Sequence, residues 1–102
     1  MPQNNPDVII IGAGIIGSSI ALELSKKGFQ TLSIEKLHTA GYGSTAGSCG
    51  VIRAHYSTEA GVRFAYEGFF YWLDWENHIG TEDDLGLAQY INCGTVLLKT
   101  KG

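Results

Sequence analysis

Val8-Ile9-Ile10-Ile11 runs directly into Gly12-Ala13-Gly14-Ile15-Ile16-Gly17, and this junction constrains the fold more than anything else in the 102 residues. A short β-branched run that stops at glycine reads as a buried strand of the parallel type. Beyond it, Ile16, Ile20 and Leu24 recur at four-residue spacing, Gly17 and Ala21 lie on a neighbouring face, and Gly28 stands where a helix stop belongs. That pattern predicts a helix of about thirteen residues. Thr31 to Glu35 alternates and predicts a second strand. Strand, helix and strand in such close succession make a βαβ unit of an α/β fold, with parallel strands and a right-handed crossover.

Gly12 to Gly17 has the form G-x-G-x-x-G, and its surroundings make it informative: a strand before it, a helix after it, and Glu35 at the end of the next strand. In a dinucleotide site the first glycine allows a tight turn, the second lets the backbone approach a pyrophosphate, and the third permits close packing of helix on strand. The N–H groups of Ala13 to Gly17, at the helix start, then face the phosphates with a partial positive charge. Glu35 is placed to accept hydrogen bonds from ribose hydroxyls, and its charge disfavours a 2′-phosphate. The same glycines would also suit a tight turn that binds nothing, but such a turn has no need of a carboxylate at position 35. The spacing alone leaves NAD and FAD both open.

Composition narrows the partners. The formal net charge of −3 offers no basic field for nucleic-acid phosphates or anionic lipid. The apolar stretch from Val8 to Ile16 is too short and too broken by glycine to span a bilayer. The N-terminus lacks the positive flank of a signal peptide, and two cysteines, Cys49 and Cys93, make no disulfide framework and no zinc-ligand spacing. A cytoplasmic, reduced setting is the expectation, with no metal. Charged residues at 17%, below the usual ~25%, hint at surface destined for burial.

From Leu37 to Gly50 the chain is rich in Gly, Ser and Thr and has no period, which predicts a loop, with room for a short helix from Ser48. Thr58 is placed to cap a longer helix running to Ile79 and stopped by Gly80, with Glu59 in its first turn. Seven aromatic residues lie between Phe64 and Trp75. Val62, Ala65, Phe69, Trp72 and Leu73 form one stripe, while Phe70, Tyr71 and Trp75 fall outside it and are expected to be exposed and to favour association. A helix packed into a larger core is the plainer reading of the same residues. Glu82-Asp83-Asp84 reads as a solvated turn. Tyr90 to Cys93 and Thr95 to Lys99 predict one bent strand or a strand pair about Gly94, and the chain ends soon after, as a piece of a larger fold would.

The segments Val8 to Gly17, Glu35-Lys36, Gly43-Ser44-Thr45 and Gly50 to Ser57 together resemble the N-terminal part of the flavoproteins that include D-amino-acid oxidase, glycine oxidase, sarcosine oxidase and dimethylglycine dehydrogenase. The likeness is greatest to the branch of sarcosine oxidase β-type and dimethylglycine dehydrogenase-like chains. It implies that residues 1–102 are the N-terminal part of a Rossmann-like FAD-binding domain in a larger two-domain enzyme. By that resemblance, Gly12, Ala13, Gly14, Ile15, Ile16 and Gly17 hold the FAD pyrophosphate, and Glu35 and Lys36 border the adenosine ribose. Ser44 and Thr45 offer hydroxyls to the phosphates, and Gly47, Ser48, Cys49 and Gly50 pass beside the flavin ring. Arg53 matches an arginine near flavin and substrate, a fixed cation of catalytic use. His55, beside Tyr56, reads equally well as a structural residue.

Two departures from the family pattern bear on the chemistry. Some relatives attach flavin through a histidine just after the Gly-Ser-Thr, where this chain has Ala46-Gly47, so FAD is expected to be noncovalent. Some sarcosine oxidases carry a further arginine three residues before the one matching Arg53, where this chain has Gly50. The resemblance implies oxidation of the C–N bond of an amine or amino acid by hydride transfer to flavin N5, with the 102-residue chain inactive alone. A nicotinamide-dependent dehydrogenase domain and a noncatalytic nucleotide-binding or interaction module are the alternatives.

Overall fold

The computed structural model describes residues 5–100; Met1 to Asn4, part of the N-terminal flank read above for its charge, lie outside them with Lys101 and Gly102. The chain divides into two compact units, Met1–Gly50 and Val51–Gly102.

In the first unit, β1 (Val8–Ile11), α1 (Ile15–Lys26) and β2 (Thr31–Ile34) follow in the predicted order. β1 and β2 are parallel, with Val8 opposite Thr31 and Ile11 opposite Ile34. Asp7 sets the start of the ladder: its amide donates to the Gln30 carbonyl at 2.8 Å, and its carboxylate accepts the Gln30 amide at 2.8 Å. Gly12 extends the ladder past β1, its N–H donating to the Ile34 carbonyl at 2.8 Å.

α1 closes as its sequence predicts. The amide of Gly28, a glycine at φ +88°, donates to the Ser25 carbonyl at 2.9 Å, and the Phe29 amide to the Leu24 carbonyl at 3.1 Å. This pairing satisfies the last helical carbonyls and needs a left-handed residue at position 28. Ile10 is the only buried hydrophobic residue among those described. Alternation along the paired strands puts Ile9, Ile11, Leu32 and Ile34 on the other face, where all four are exposed.

In the second unit, α2 (Glu59–Leu73) starts at Thr58, whose backbone is extended and whose Oγ1 accepts the Gly61 amide at 3.2 Å. The helix expected to reach Ile79 breaks at Asp74, and a short α3 (Trp75–Ile79) follows, ending at left-handed Gly80. Asp74 leaves helical geometry at φ −125°, ψ 47°, and its carboxylate accepts the Asn77 side-chain amide at 2.7 Å. A short carboxylate side chain offers such local alternatives to an unbroken helix. Trp72 and Trp75 stack across the break with centroids 4.4 Å apart, which leaves Trp75 half-buried although Phe70 and Tyr71 are exposed as expected.

The strands expected at Tyr90 to Cys93 and Thr95 to Lys99 do not form. Strand geometry persists only where backbone groups find a partner strand, and the sheet among the described residues joins β1 to β2 alone. The Cys93 amide instead donates to the Ile91 carbonyl at 3.0 Å, and Gly94 turns the chain at φ +74°.

Candidate functional site at the opening of the first helix

Gly12 leaves β1 at φ +104°, a backbone conformation that L side chains rarely adopt, and the chain turns there into α1. The first helical hydrogen bond runs from the Ser18 amide to the Gly14 carbonyl at 2.9 Å, so the amides of Ile15, Ile16 and Gly17 have no carbonyl within the helix to donate to. Gly14 is the N-cap and has no side chain to cap them. At Gly17 an added Cβ would fall on the Gly12 carbonyl oxygen and lie 3.4 Å from Ile10 Cγ2. The third glycine therefore does what its spacing predicts: it lets α1 press onto the end of β1.

Glu35 follows β2 directly, and its carboxylate reaches back to the glycine turn. Oε2 accepts the Ala13 amide at 2.8 Å, and Oε1 accepts the Leu37 amide at 3.0 Å. The Ala13 bond first, and the Leu37 bond second, hold the carboxyl below the usual glutamate pKa. The group is thus a fixed negative charge at neutral pH, half-buried at the end of β2. Each oxygen keeps acceptor capacity for a further donor such as a sugar hydroxyl.

The second glycine cluster folds against the same turn. Gly41, at φ +78°, donates its amide to the Ala13 carbonyl at 2.9 Å. Ala13 is thereby held at both ends of its peptide groups, by Glu35 and by Gly41. The chain then runs through successive turns, with the Ala46 amide bonded to the Gly43 carbonyl at 3.1 Å and the Ser48 amide to the Thr45 carbonyl at 3.2 Å. Thr45 Oγ1 accepts the Ile15 amide at 2.9 Å, so a hydroxyl thirty residues away caps the helix.

The remaining residues implied by the resemblance behave differently from one another. Lys36, Ser44, Gly47 and Cys49 are exposed. Ser48 turns its hydroxyl onto its own loop, where it accepts the Gly50 amide at 3.2 Å, and no helix begins there. That local bond and the left-handed Gly50 at φ +68° end the turns instead of propagating them. Arg53 belongs to the second unit, where its guanidinium lies 5.0 Å from the Tyr56 ring centroid in a cation–π contact. Asp83 organises the acidic turn: its Oδ1 accepts the Leu85 amide at 2.8 Å. Among the described residues, no group of three or more His, Cys, Asp or Glu is arranged to hold a metal ion, and no helix is long and apolar enough to cross a membrane.

Sequence reasoning missed two of these contacts, the bond from Gly41 to Ala13 and the cap that Thr45 places on Ile15. The second glycine cluster marked the segment as functional, but nothing local pairs a loop threonine with one helix amide.

The cradle at the α1 opening fits the diphosphate end of a dinucleotide. Thr45 Oγ1 and the Glu35 carboxylate already take the Ile15 and Ala13 amides, which leaves the Ile16 and Gly17 amides and the helix dipole to favour an anion. A carboxylate at the end of the adjacent strand suits a ribose. A family model described as "FAD dependent oxidoreductase" matches residues 7–101. The chain is 36% identical to a probable sarcosine oxidase of Arabidopsis thaliana over 75 residues, which cover 72% of this chain and 18% of that protein. It is 46% identical to a glycerol 3-phosphate dehydrogenase of Caloramator mitchellensis over 56 residues, covering 55% and 12%, respectively. It is 28% identical to the FAD-dependent oxidoreductase domain-containing protein 1 of Bos taurus over 103 residues, covering 96% and 21%. The chain therefore spans about a fifth or less of the length of these relatives. No solved structure gives a significant match.

Proposed function

The chain belongs to the family of FAD-dependent oxidoreductases, and from that premise we propose that residues 1–102 are the adenosine-diphosphate-holding part of a Rossmann-like FAD domain in a two-domain enzyme that oxidises the C–N bond of an amine or amino acid. The observation that carries this reading is the family match over nearly the whole chain, joined to the relative named as a probable sarcosine oxidase.

In this reading the Ile16 and Gly17 amides at the start of α1, beside the Ile15 amide that Thr45 caps, face the diphosphate, and the remaining acceptor capacity of Glu35 takes the ribose hydroxyls. Ser44 and Thr45 stand beside the phosphates and Lys36 beside the ribose, while the turn around Gly47, Ser48, Cys49 and Gly50 borders the flavin ring. Arg53 supplies a permanent cation for an anionic partner, either a substrate carboxylate or reduced flavin. When bound, a flavin held here would supply the electron sink for hydride removal from the carbon next to the substrate nitrogen. The protein's part is to bind, orient and exclude competing reactions.

A second reading, oxidation of a phosphorylated alcohol, is supported by the relative named as a glycerol 3-phosphate dehydrogenase. Two measurements decide. Titration of the chain with FAD should quench flavin fluorescence, and acid precipitation should leave the flavin in the supernatant if it is held noncovalently. Anaerobic mixing of the protein at its natural length with sarcosine, glycine, D-alanine or glycerol 3-phosphate should bleach the flavin absorbance with an amine. Bleaching by glycerol 3-phosphate alone overturns the amine reading and leaves the cofactor intact.

A further inference from the structure

Gly14, the second glycine of the motif, has backbone angles of φ −79° and ψ −173°. Any residue adopts these angles, so glycine is not required there for conformation. Its effect is on space: an added Cβ would come 2.9 Å from Thr45 Oγ1, so the hydroxyl would have to move out of its position. That same oxygen accepts the Ile15 amide at 2.9 Å. One atom thus makes the cap and fills the room that the missing side chain leaves.

We infer that Gly14 and Thr45 are a coupled pair, in which the glycine makes room for the threonine hydroxyl and the hydroxyl caps α1, so that Thr45 is a positioning residue for the helix opening. With its oxygen accepting from Ile15, the hydroxyl has its single proton left to donate elsewhere. The loop carrying Thr45 is further tied down through Gly41 and Ala13. The role of the pair in cofactor binding rests on the reading of this opening as the diphosphate site; the pair itself rests on contacts within the chain.

A double-mutant cycle on the full chain separates the two. In the ligand-free chain, Gly14→Ala and Thr45→Ala each speed hydrogen exchange of the Ile15 amide by on the order of tenfold, the double variant goes no further, and Thr45→Ser restores protection. In FAD titrations, Gly14→Ala weakens binding by on the order of tenfold in the native background and by about threefold or less once Thr45→Ala has removed the oxygen. Equal losses in both backgrounds, or Ile15 exchange indifferent to Thr45→Ala, overturn the pair. Should the native chain bind no FAD, the cofactor reading falls and the exchange cycle alone decides the pair.

Discussion

The amide of Ala13 and the carboxylate of Glu35, twenty-two residues apart, are joined by a 2.8 Å hydrogen bond that ties the glycine turn to the end of the neighbouring strand. The acidic residue that the spacing assigns to a sugar is therefore also a brace for the loop that would hold the phosphates. Both roles draw on one ionised group, which makes them separable by pH and by substitution.

Because the folded chain favours ionised Glu35, the brace contributes fully above the ordinary glutamate pKa of about 4.3 and fades as pH falls through the lowered folded value. The thermal midpoint of the native chain should fall faster on acidification below roughly pH 4.3 than that of Glu35→Gln, with a constant gap between them above it. A gap that does not narrow in acid would show the brace to be indifferent to charge.

Gly12 and Gly17 should fail for different reasons. Gly12→Ala meets no atom within 4 Å but must hold φ +104°, a strain of about 1–3 kcal/mol. Gly17→Ala drives a methyl onto the Gly12 carbonyl and should cost about 1–3 kcal/mol by overpacking, with displacement of α1 from β1. Denaturant unfolding gives both costs. Chemical shifts along β1 should move across the whole strand in the second variant and stay local in the first.

At the start of α2, Thr58→Ala removes the acceptor of the Gly61 amide and should cost about 1 kcal/mol and some helical circular dichroism, with Thr58→Ser close to native. The neighbouring pair of Arg63 and Glu59, 2.8 Å apart but highly exposed, should give less than about 0.5 kcal/mol when Arg63→Ala breaks it.

Phe64, Phe70 and Tyr71 of α2 are exposed, Phe64 at 86%. An apolar surface of this kind favours self-association, so sedimentation velocity should show mass rising with concentration and Phe64→Glu with Phe70→Glu should suppress it. A monomer at high concentration would remove this helix as a contact surface.

What could be read from the residues in order is what is determined locally. The aliphatic run of β1, the four-residue spacing of α1 and the stop at Gly28 each act through neighbours in the chain, and each element forms as read. β1, however, read as a buried strand, buries Ile10 alone and leaves Ile9 and Ile11 exposed, because burial depends on what covers the sheet. The break at Asp74 turns on one side chain preferring Asn77 to an unbroken helix, a balance that periodicity does not register. The segments from Tyr90 to Lys99 have strand composition, yet their backbone groups pair with no strand among the described residues. At the site, the glycines and Glu35 were legible by spacing, whereas the cap from Thr45 to Ile15 joins residues thirty apart and leaves no local signature.

The double hold on Ala13, by Glu35 from one side and Gly41 from the other, carries a kinetic consequence. The segment gives up its conformational entropy when the chain folds, so under the proposed function a nucleotide would meet a surface already shaped and need not wait for it to rearrange. Arrival rates should then be much alike for different adenine nucleotides, and preference among them will be expressed in how long each one stays.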